Sequence, residues 1–231
     1  MRVLVLASTP ASGQRLAAAL LRAGLRVELA RLADDPADAA RRGGPFDAVL
    51  AEAGRVTPAL QQGLRGIARL RLGLPLVLLL GAATAEEEEA GFAAGADEVL
   101  QAPIPTEALL VRLRALQRRM LGHLSASITL GNVTLDQAGR RVLVQRRPLP
   151  VTPREYDVME MLFLRRGSLV TKQDCLARLY GVAEGPESRI LDVFICKLRR
   201  KLAAAGAAPC IRTVWGSGYL AEDPLPAARA A

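Results

Sequence analysis

The sequence has no apolar run close to the ~20 residues that a membrane-spanning helix needs, and it contains only three cysteines and one histidine. The cysteines, Cys175, Cys196 and Cys210, are odd in number and lack metal-ligand spacing, which predicts free thiols in a reducing compartment. The single histidine, His123, cannot form a metal site alone and is interpreted as a linker residue. The apolar start of the chain is too short for a secretory signal. We therefore expect a cytoplasmic protein without a membrane partner.

Motifs of enzymatic sites are also missing from the sequence. It contains no glycine-rich phosphate loop, no nucleophile elbow and no pair of catalytic acids, which are patterns that mark active sites. We therefore predict that the protein is not an enzyme and has no catalytic residue, metal or cofactor. A small enzyme domain in the first half is the alternative, and following the melting temperature of the protein with candidate ligands would detect it.

Positive charge is concentrated in the second half of the chain. Residues 1–123 carry a net charge of +2 and residues 124–231 a net charge of +6, and every lysine lies in the second part. Clustered positive charge predicts a polyanionic partner, here double-stranded DNA. A coding bias that favours arginine is the alternative explanation, although it does not account for the position of the lysines.

The first half alternates short apolar segments with helical patterns. Five such units predict an α/β domain over 1–121, in which a parallel sheet is covered by helices on both faces. The predicted strands are Arg2–Ala7, Leu25–Ala30, Phe46–Glu52, Pro75–Leu80 and Asp97–Gln101. The predicted helices begin near Ala11, Asp35, Thr57, Thr84 and Thr106. A short polar linker is expected at 122–127.

From residue 128 the pattern changes to short antiparallel strands, three helices and a terminal hairpin. The stretch Thr152-Pro153-Arg154-Glu155 has the features of a helix start: an N-cap threonine, a proline next to it and a glutamate three residues after the cap. A second helix is predicted to open at Thr171 and a third to span about 188–203. This order predicts a winged helix-turn-helix over 128–224, followed by a disordered tail at 225–231.

The third helix has one apolar arc and one basic arc. On a helical wheel of about 100° per residue, the apolar side chains from Ile190 to Leu202 share one face. The opposite arc carries Arg189, Val193, Cys196, Lys197 and Arg200. Basic side chains can reach phosphates or base edges and valine fits a thymine methyl group, so this arc predicts a DNA-reading surface. A solvated basic stripe is the alternative.

The terminal hairpin carries a second set of candidate DNA contacts around a glycine turn. Its residues Arg212, Thr213, Trp215 and Ser217 could lie along the DNA backbone or enter a minor groove. Trp215 has two interpretations, a DNA contact or a core residue that supports the hairpin, because tryptophan is usually largely buried.

The second half resembles the OmpR/PhoB class of response regulators. The resemblance is carried by TPREY at 152–156, LDVFICKLR at 191–199 and TVWGSGY at 213–219. It implies that the third helix enters a major groove. It implies phosphate contacts from Arg189, Cys196, Thr213 and Tyr219. It implies base contacts from Ile190, Val193 and Lys197. Trp215 stands where most of the class has an arginine for the minor groove.

The first domain resembles the receiver of this class in its flavodoxin-like, five-stranded parallel sheet but not in its phosphorylation chemistry. Receivers place three carboxylates, a hydroxyl and a lysine at the carboxyl ends of the strands. Here the acidic pair is replaced by AST at 7–9, the hydroxyl by Leu80 and the lysine by Ala102. Glu52 stands at the phosphoacceptor position as the one acid left. Because Mg²⁺ needs several oxygen ligands, we predict a degenerate receiver that works independently of phosphorylation.

The role of the receiver has alternatives. Glu52 is either an imitation of a phosphorylated aspartate or a surface acid without a role. The receiver is either a dimerisation module or a ligand- or protein-sensing input, since open α/β sheets bind ligands at their strand ends. The fifth helix resembles the dimer-forming face of the class, which predicts a homodimer; RNA polymerase is a further expected partner. The charged residues available for dimer pairing are Arg112, Arg114, Arg118, Asp97 and Glu98.

Overall fold

The computed structural model describes residues 1–181 and 189–224. The chain divides into two compact units, Met1–Gly122 and His123–Ala231, and each is described by itself. The predicted tail at 225–231 and the predicted start of the third helix at residue 188 lie outside the described residues. None of the helices in the described ranges is long and apolar enough to cross a membrane.

The first unit is a five-stranded parallel sheet in the order β2-β1-β3-β4-β5, with a helix after each strand. The strands are β1 (Arg2–Ala7), β2 (Arg26–Arg31), β3 (Ala48–Ala53), β4 (Leu76–Leu80) and β5 (Glu98–Gln101). The helices are α1 (Pro10–Arg22), α2 (Pro36–Arg42), α3 (Pro58–Arg69), α4 (Ala85–Ala93) and α5 (Thr106–Met120). The parallel sheet predicted from the alternating segments and the flavodoxin-like fold implied by the resemblance are both confirmed. Strand β1 has its predicted bounds, and the ends of the other strands differ from the predicted ones by at most two residues.

The strands at the centre of this sheet have no solvent-facing side. Every residue of β1 and β4 is buried. Leu4 and Leu6 belong to the core on one face, while Val3 and Val5 belong to the core on the other. Because side chains alternate along a strand, a continuous apolar run is needed where both faces are covered by helices.

The second unit combines a four-stranded antiparallel sheet with three helices and a small three-stranded sheet. The first sheet contains β6 (Ser127–Leu130), β7 (Val133–Asp136), β8 (Arg141–Val144) and β9 (Arg147–Leu149). The helices are α6 (Pro153–Leu164), α7 (Lys172–Tyr180) and α8 (Arg189–Ala204). The second sheet contains β10 (Val170–Thr171), β11 (Ile211–Val214) and β12 (Gly218–Ala221) in the order β10-β12-β11. We call residues 211–221, the β11–β12 hairpin, the wing.

Two details of the second unit differ from the expectations. His123, which was expected in a linker at 122–127, is buried, and its Nε2 lies 2.8 Å from the Leu164 carbonyl oxygen. Ser127 is already part of β6. Strand β10 was not anticipated, because a two-residue strand is too short to show an alternating pattern. It pairs with β12 and thereby joins the wing to the start of α7.

Candidate nucleic-acid interface

Helix α8 presents a polar face opposite an apolar one. Leu191, Ile195, Leu198 and Leu202 are buried. The residues exposed on the other side are Arg189, Val193, Cys196, Lys197 and Arg200. Val193, the apolar residue among them, is 47% exposed. The division predicted by the helical wheel is thus confirmed, with Ile190 only partly buried at the edge between the two faces.

The cations of α8 divide into two groups. Within residues 1–181 and 189–224, no ion pair is formed by Arg189, Lys197 or Arg200. Arg199 and Lys201 are instead engaged with the protein. Arg199 donates to the Ile211 carbonyl and to Thr213 Oγ1, each over 2.9 Å, and Lys201 contacts a Glu155 carboxylate oxygen at 2.7 Å. The first group is therefore the one available to a polyanion.

The first turn of α8 is held by a polar cluster formed by Asp192, Lys172 and Tyr219. The Lys172 ammonium group lies 2.7 Å from Asp192 Oδ1, and the Tyr219 hydroxyl donates to the same carboxylate. The hydrogen bonds from Lys172 and Tyr219 hold the pKa of Asp192 below its usual range. Burial, followed by the bond to Asp192, raises the pKa of Tyr219 above its usual range.

Tyr219 is therefore placed differently from the other residues expected to face phosphates. It is buried, and its only O–H donor already points at Asp192. A phosphate has no donor to offer in exchange, so a direct contact would require this hydrogen bond to break. Thr213 is partly buried and its hydroxyl oxygen accepts from Arg199, which leaves the Thr213 O–H free to donate.

The turn of the wing exposes its largest side chain. Trp215 is 90% exposed, so its interpretation as a core residue is wrong. Gly216 follows with a positive φ of 74°, which glycine adopts without steric cost. A Cβ on Gly218 would lie 2.1 Å from the Val170 carbonyl oxygen, because β12 and β10 approach closely there. Ser217 is exposed beside Trp215, and Arg212 on β11 pairs with Glu222.

Cys196 differs from the other two cysteines. All three are free thiols, as predicted, and Cys196 is exposed on α8. Burial raises the pKa of Cys175 to about 12 and that of Cys210 to about 11. The two buried thiols are therefore protonated at neutral pH and act as small core residues.

In the first unit, the carboxyl ends of the strands bring Glu52 close to the start of α1. Ser12 donates to Glu52 Oε2 over 2.5 Å, and Ser8 lies 3.5 Å from the same oxygen. The neighbouring strand ends provide the buried side chain of Leu80 and the small side chain of Ala102. Among the described residues, no three His, Cys, Asp or Glu side chains cluster so as to hold a metal ion.

The charged residues expected at a dimer surface are partly used within the chain. Arg112 on α5 pairs with Glu98 of its own β5. Asp97 accepts from the Leu76 backbone N–H over 2.7 Å. The apolar residues Phe92 on α4 and Val111 on α5 are 49% and 65% exposed.

Three polar residues that connect α7, α8 and the wing were not singled out by the sequence reasoning: Lys172, Asp192 and Arg199. Asp192 and Arg199 are seven residues apart and so lie on the same side of α8, two turns from each other. That side lies between the apolar and basic arcs and contacts the wing. The signal was the presence of two opposite charges on a strip that belongs to neither arc.

The receiver-like sheet, followed by a helix-turn-helix unit with an exposed basic helix face, defines a DNA-binding response regulator of OmpR/PhoB type. Residues 146–221 match the family described as transcriptional regulatory protein, C terminal. The chain is 32% identical to the cell cycle response regulator CtrA of Brucella anthropi over 225 residues, 97% of each chain. It has the same identity and coverage with the cell cycle transcriptional regulator CtrA of Caulobacter vibrioides.

The chain therefore belongs to the OmpR/PhoB-type family of response-regulator transcription factors and is CtrA-like. Among solved structures, the response regulator DrrB of Thermotoga maritima, described as an OmpR/PhoB homolog, is 21% identical. The match covers 96% of this chain and 98% of DrrB, with a TM-score of 0.42.

Proposed function

We propose that this transcription factor binds specific DNA sites through α8 and the wing, and that it does so independently of phosphorylation of its receiver. The observation that carries the proposal is the exposed face of α8, where Arg189, Lys197 and Arg200 surround Val193 without an acidic partner in the described ranges. Cations supply affinity for phosphates, and a small apolar side chain among them supplies a contact to a thymine methyl group.

Each exposed residue receives a role from its chemistry. Lys197 and Val193 contact base edges in the major groove, with Ile190 at the edge of this surface. Arg189 and Arg200 contact phosphates, and the Cys196 and Thr213 side chains lie along the backbone. In the wing, Trp215 and Ser217 contact the adjacent minor groove. Tyr219 supports the first turn of α8 from behind through Asp192.

The receiver is degenerate in this proposal. Mg²⁺ usually takes at least one or two carboxylates with other oxygen ligands, whereas Glu52 alone stands at this edge and accepts hydrogen bonds from Ser12 and Ser8. The side chains of Leu80 and Ala102 are apolar and cannot form a hydrogen bond or an ion pair with a phosphoryl group. Glu52 points its hydrogen bonds toward α1, so we favour a role in holding this loop over an imitation of phosphoaspartate.

The receiver also serves as the dimer module in this proposal. Two linked DNA-binding units gain affinity for neighbouring half-sites through effective concentration. The exposed Phe92 and Val111 supply apolar area on α4 and α5. Deletion of 1–122, which retains the buried His123, should leave a folded unit that binds a two-site target less tightly. Undiminished affinity, with a monomer in analytical ultracentrifugation for both proteins, contradicts the dimer.

The central test is selection of DNA by the full-length protein from a random library, followed by gel-shift titration of the selected duplex. Selected DNA should bind at least about 10³-fold more tightly than a random duplex.

Mg²⁺ with acetyl phosphate should leave the DNA affinity and the oligomeric state of the protein unchanged. Glu52→Gln should also leave DNA affinity and oligomeric state unchanged. If Glu52 imitated a phosphoaspartate, this variant would instead weaken DNA binding and dimerisation together. Phosphate incorporation detected by mass spectrometry with tighter DNA binding would refute the phosphorylation-independent mechanism.

A further inference from the structure

Lys172 joins three elements of the DNA-binding unit. It is the first residue of α7, and its backbone N–H donates to the Ser217 carbonyl of the wing turn over 3.3 Å. Its ammonium group contacts both carboxylate oxygens of Asp192 on α8, at 2.7 and 2.9 Å. Lys172, which belongs to neither the wing nor α8, therefore contributes to the placement of these two elements relative to each other.

Asp192 is a negative charge at the end of α8 that should meet DNA. It lies in the first turn beside the exposed Arg189 and Val193, and its own side chain is 44% exposed. The positive end of the helix dipole favours a carboxylate at this position. Once DNA phosphates approach, however, an uncompensated carboxylate would be repelled by them. A cation held on both carboxylate oxygens removes that repulsion.

The wing contacts the same side of α8 at two positions along the helix. Tyr219 of β12 donates to Asp192, and two turns later Arg199 donates to the Ile211 carbonyl and Thr213 Oγ1 of β11. Loss of the Lys172 ammonium group would remove one contact from the first position, where the Tyr219–Asp192 hydrogen bond would remain, and would leave the second position unchanged. The distance between the helix in one groove and Trp215 in the next would then vary.

We propose that Lys172 and Asp192 form a neutral positioning pair that sets the spacing of α8 and the wing for DNA recognition, and that Lys172 does not itself bind a phosphate. The inference rests on the proposed DNA-binding function. A direct phosphate contact and a positioning pair predict different DNA affinities for a variant that lacks both charges. If Lys172 only balances Asp192, removal of the Asp192 charge should compensate for removal of the lysine. If Lys172 contacts a phosphate, it should not.

The test uses the full-length protein and a fluorescent duplex carrying the sequence that the parent selects from a random library. Lys172→Met should weaken binding at least about tenfold, because it leaves Asp192 charged and unpaired against DNA. Asp192→Asn should cost less, and Lys172→Met combined with Asp192→Asn should bind better than Lys172→Met alone. Lys172→Arg, which keeps the charge, should bind within about threefold of the parent.

Salt dependence separates the two roles of the lysine. For a positioning pair, the slope of log K against log salt in the double variant should equal that of the parent. A lost phosphate contact lowers the slope by about 0.9. The Arg141–Asp136 pair of the β7–β8 hairpin, at 2.7 Å, is the matched control, and Arg141→Met should not change binding. Melting temperatures show whether each variant is folded. If Lys172→Met unfolds, the DNA affinity of Lys172→Arg can still be compared with that of the parent.

Three results would overturn the inference. The first is an equal loss of DNA affinity in Lys172→Met and in the double variant, and the second is a lowered slope of log K against log salt in both. The third is parental DNA affinity in Lys172→Met. Failure of the parent to select any sequence would instead overturn the proposed function itself. Recovery in the double variant with an unchanged slope supports the positioning pair.

Discussion

Removing the charge of Lys201 should destabilise the DNA-binding unit without removing a DNA contact, although Lys201 lies on the basic helix α8. Its ammonium group lies 2.7 Å from Glu155 Oε2 and donates to the Pro150 carbonyl over 3.1 Å. Glu155 is 2% exposed and also accepts from the Thr152 backbone N–H at the start of α6. Lys201→Met keeps the aliphatic stem and leaves a buried carboxylate without its cation.

The size of the effect follows from the burial of the two partners. Removal of one partner from a fully buried ion pair costs ~3–5 kcal/mol. The Lys201 side chain is 34% exposed, so water already screens part of the attraction, and the Thr152 N–H remains. We therefore expect Lys201→Met to lower the free energy of unfolding by about 2 kcal/mol. Glu155→Gln should cost about 1 kcal/mol, because it leaves no buried charge and glutamine also serves in a capping box.

The stability difference between the parent and Lys201→Met should depend on pH, in a direction that follows from the pKa of Glu155. Burial raises the pKa of Glu155, but the hydrogen bonds from Lys201 and Thr152 outweigh burial and hold the pKa below its usual range. In the parent, this contribution to stability is present above the unfolded pKa of about 4.3 and is lost as the pH falls. In Lys201→Met, burial should dominate and raise the pKa, so stability is lost as the pH rises. The stability difference should therefore be largest at neutral pH and should narrow toward about pH 4.

The aromatic residues make the measurement selective. The one tryptophan and all three tyrosines lie in the second unit, so near-ultraviolet circular dichroism during urea unfolding reports on that unit. Arg200→Met, an exposed neighbour on α8, is the matched control and should stay within about 0.5 kcal/mol of the parent. The reasoning is refuted by a stability difference that is the same at both pH values. It is also refuted if Lys201→Met keeps parental stability but lowers the salt slope of DNA binding.

The remaining predictions concern the DNA-contacting surface. Lys197→Ala should weaken binding to selected DNA by about 1–3 kcal/mol and relax the preference at one base pair; equal loss on random DNA in gel shifts would contradict base reading. Arg189→Ala should weaken both DNAs alike and lower the salt slope by about 0.9. Trp215→Ala should lower DNA affinity at an unchanged melting temperature, because the side chain is 90% exposed. Gly218→Ala should cost more than about 2 kcal/mol, since its Cβ would lie 2.1 Å from the Val170 carbonyl oxygen, and a parental melting curve would contradict that close approach.

The sequence predicted those parts of the fold in which one residue pattern has one structural solution. The uninterrupted apolar run of β4 requires a strand covered on both faces, and the wheel of α8 separates Leu191 and Leu198 from Lys197 and Arg200. These patterns depend on burial, which local periodicity records. The parallel strands covered on both faces and the two sides of α8 could therefore be anticipated without knowledge of any contact, whereas the flavodoxin-like arrangement of the strands was implied by the resemblance to the family.

Contacts between distant residues were not accessible in the same way. Thr84–Glu87 and Thr152–Glu155 have the same capping spacing, yet only the second pair bonds in both directions. Glu87 instead lies within hydrogen-bonding distance of Arg55 and of the Val56 backbone N–H. The choice of partner depends on which cation a loop elsewhere brings near, and spacing along one helix does not record it.

The same reasoning explains why Tyr219 was expected at a phosphate and Trp215 was left undecided. Both belong to one hairpin, but side chains of successive residues point to opposite faces only within its strands. Tyr219 is in β12 and faces Asp192, whereas Trp215 is in the turn, where alternation does not hold. A motif aligned with a family therefore locates the hairpin, while its packing decides which aromatic ring reaches solvent.

The position of Glu52 bears on how a signal would reach the DNA-binding unit. A phosphorylation switch changes a population only if the phosphoryl group interacts differently with two states of the receiver. The hydrogen bonds of Glu52 run to Ser12 and Ser8 near α1, while Leu80 and Ala102 provide no polar group that would answer a change in charge. Under the proposed mechanism the receiver has no such differential interaction to use. The concentration of the dimer, set by protein abundance, proteolysis or a partner, then becomes the variable that determines DNA occupancy, since occupancy follows mass action.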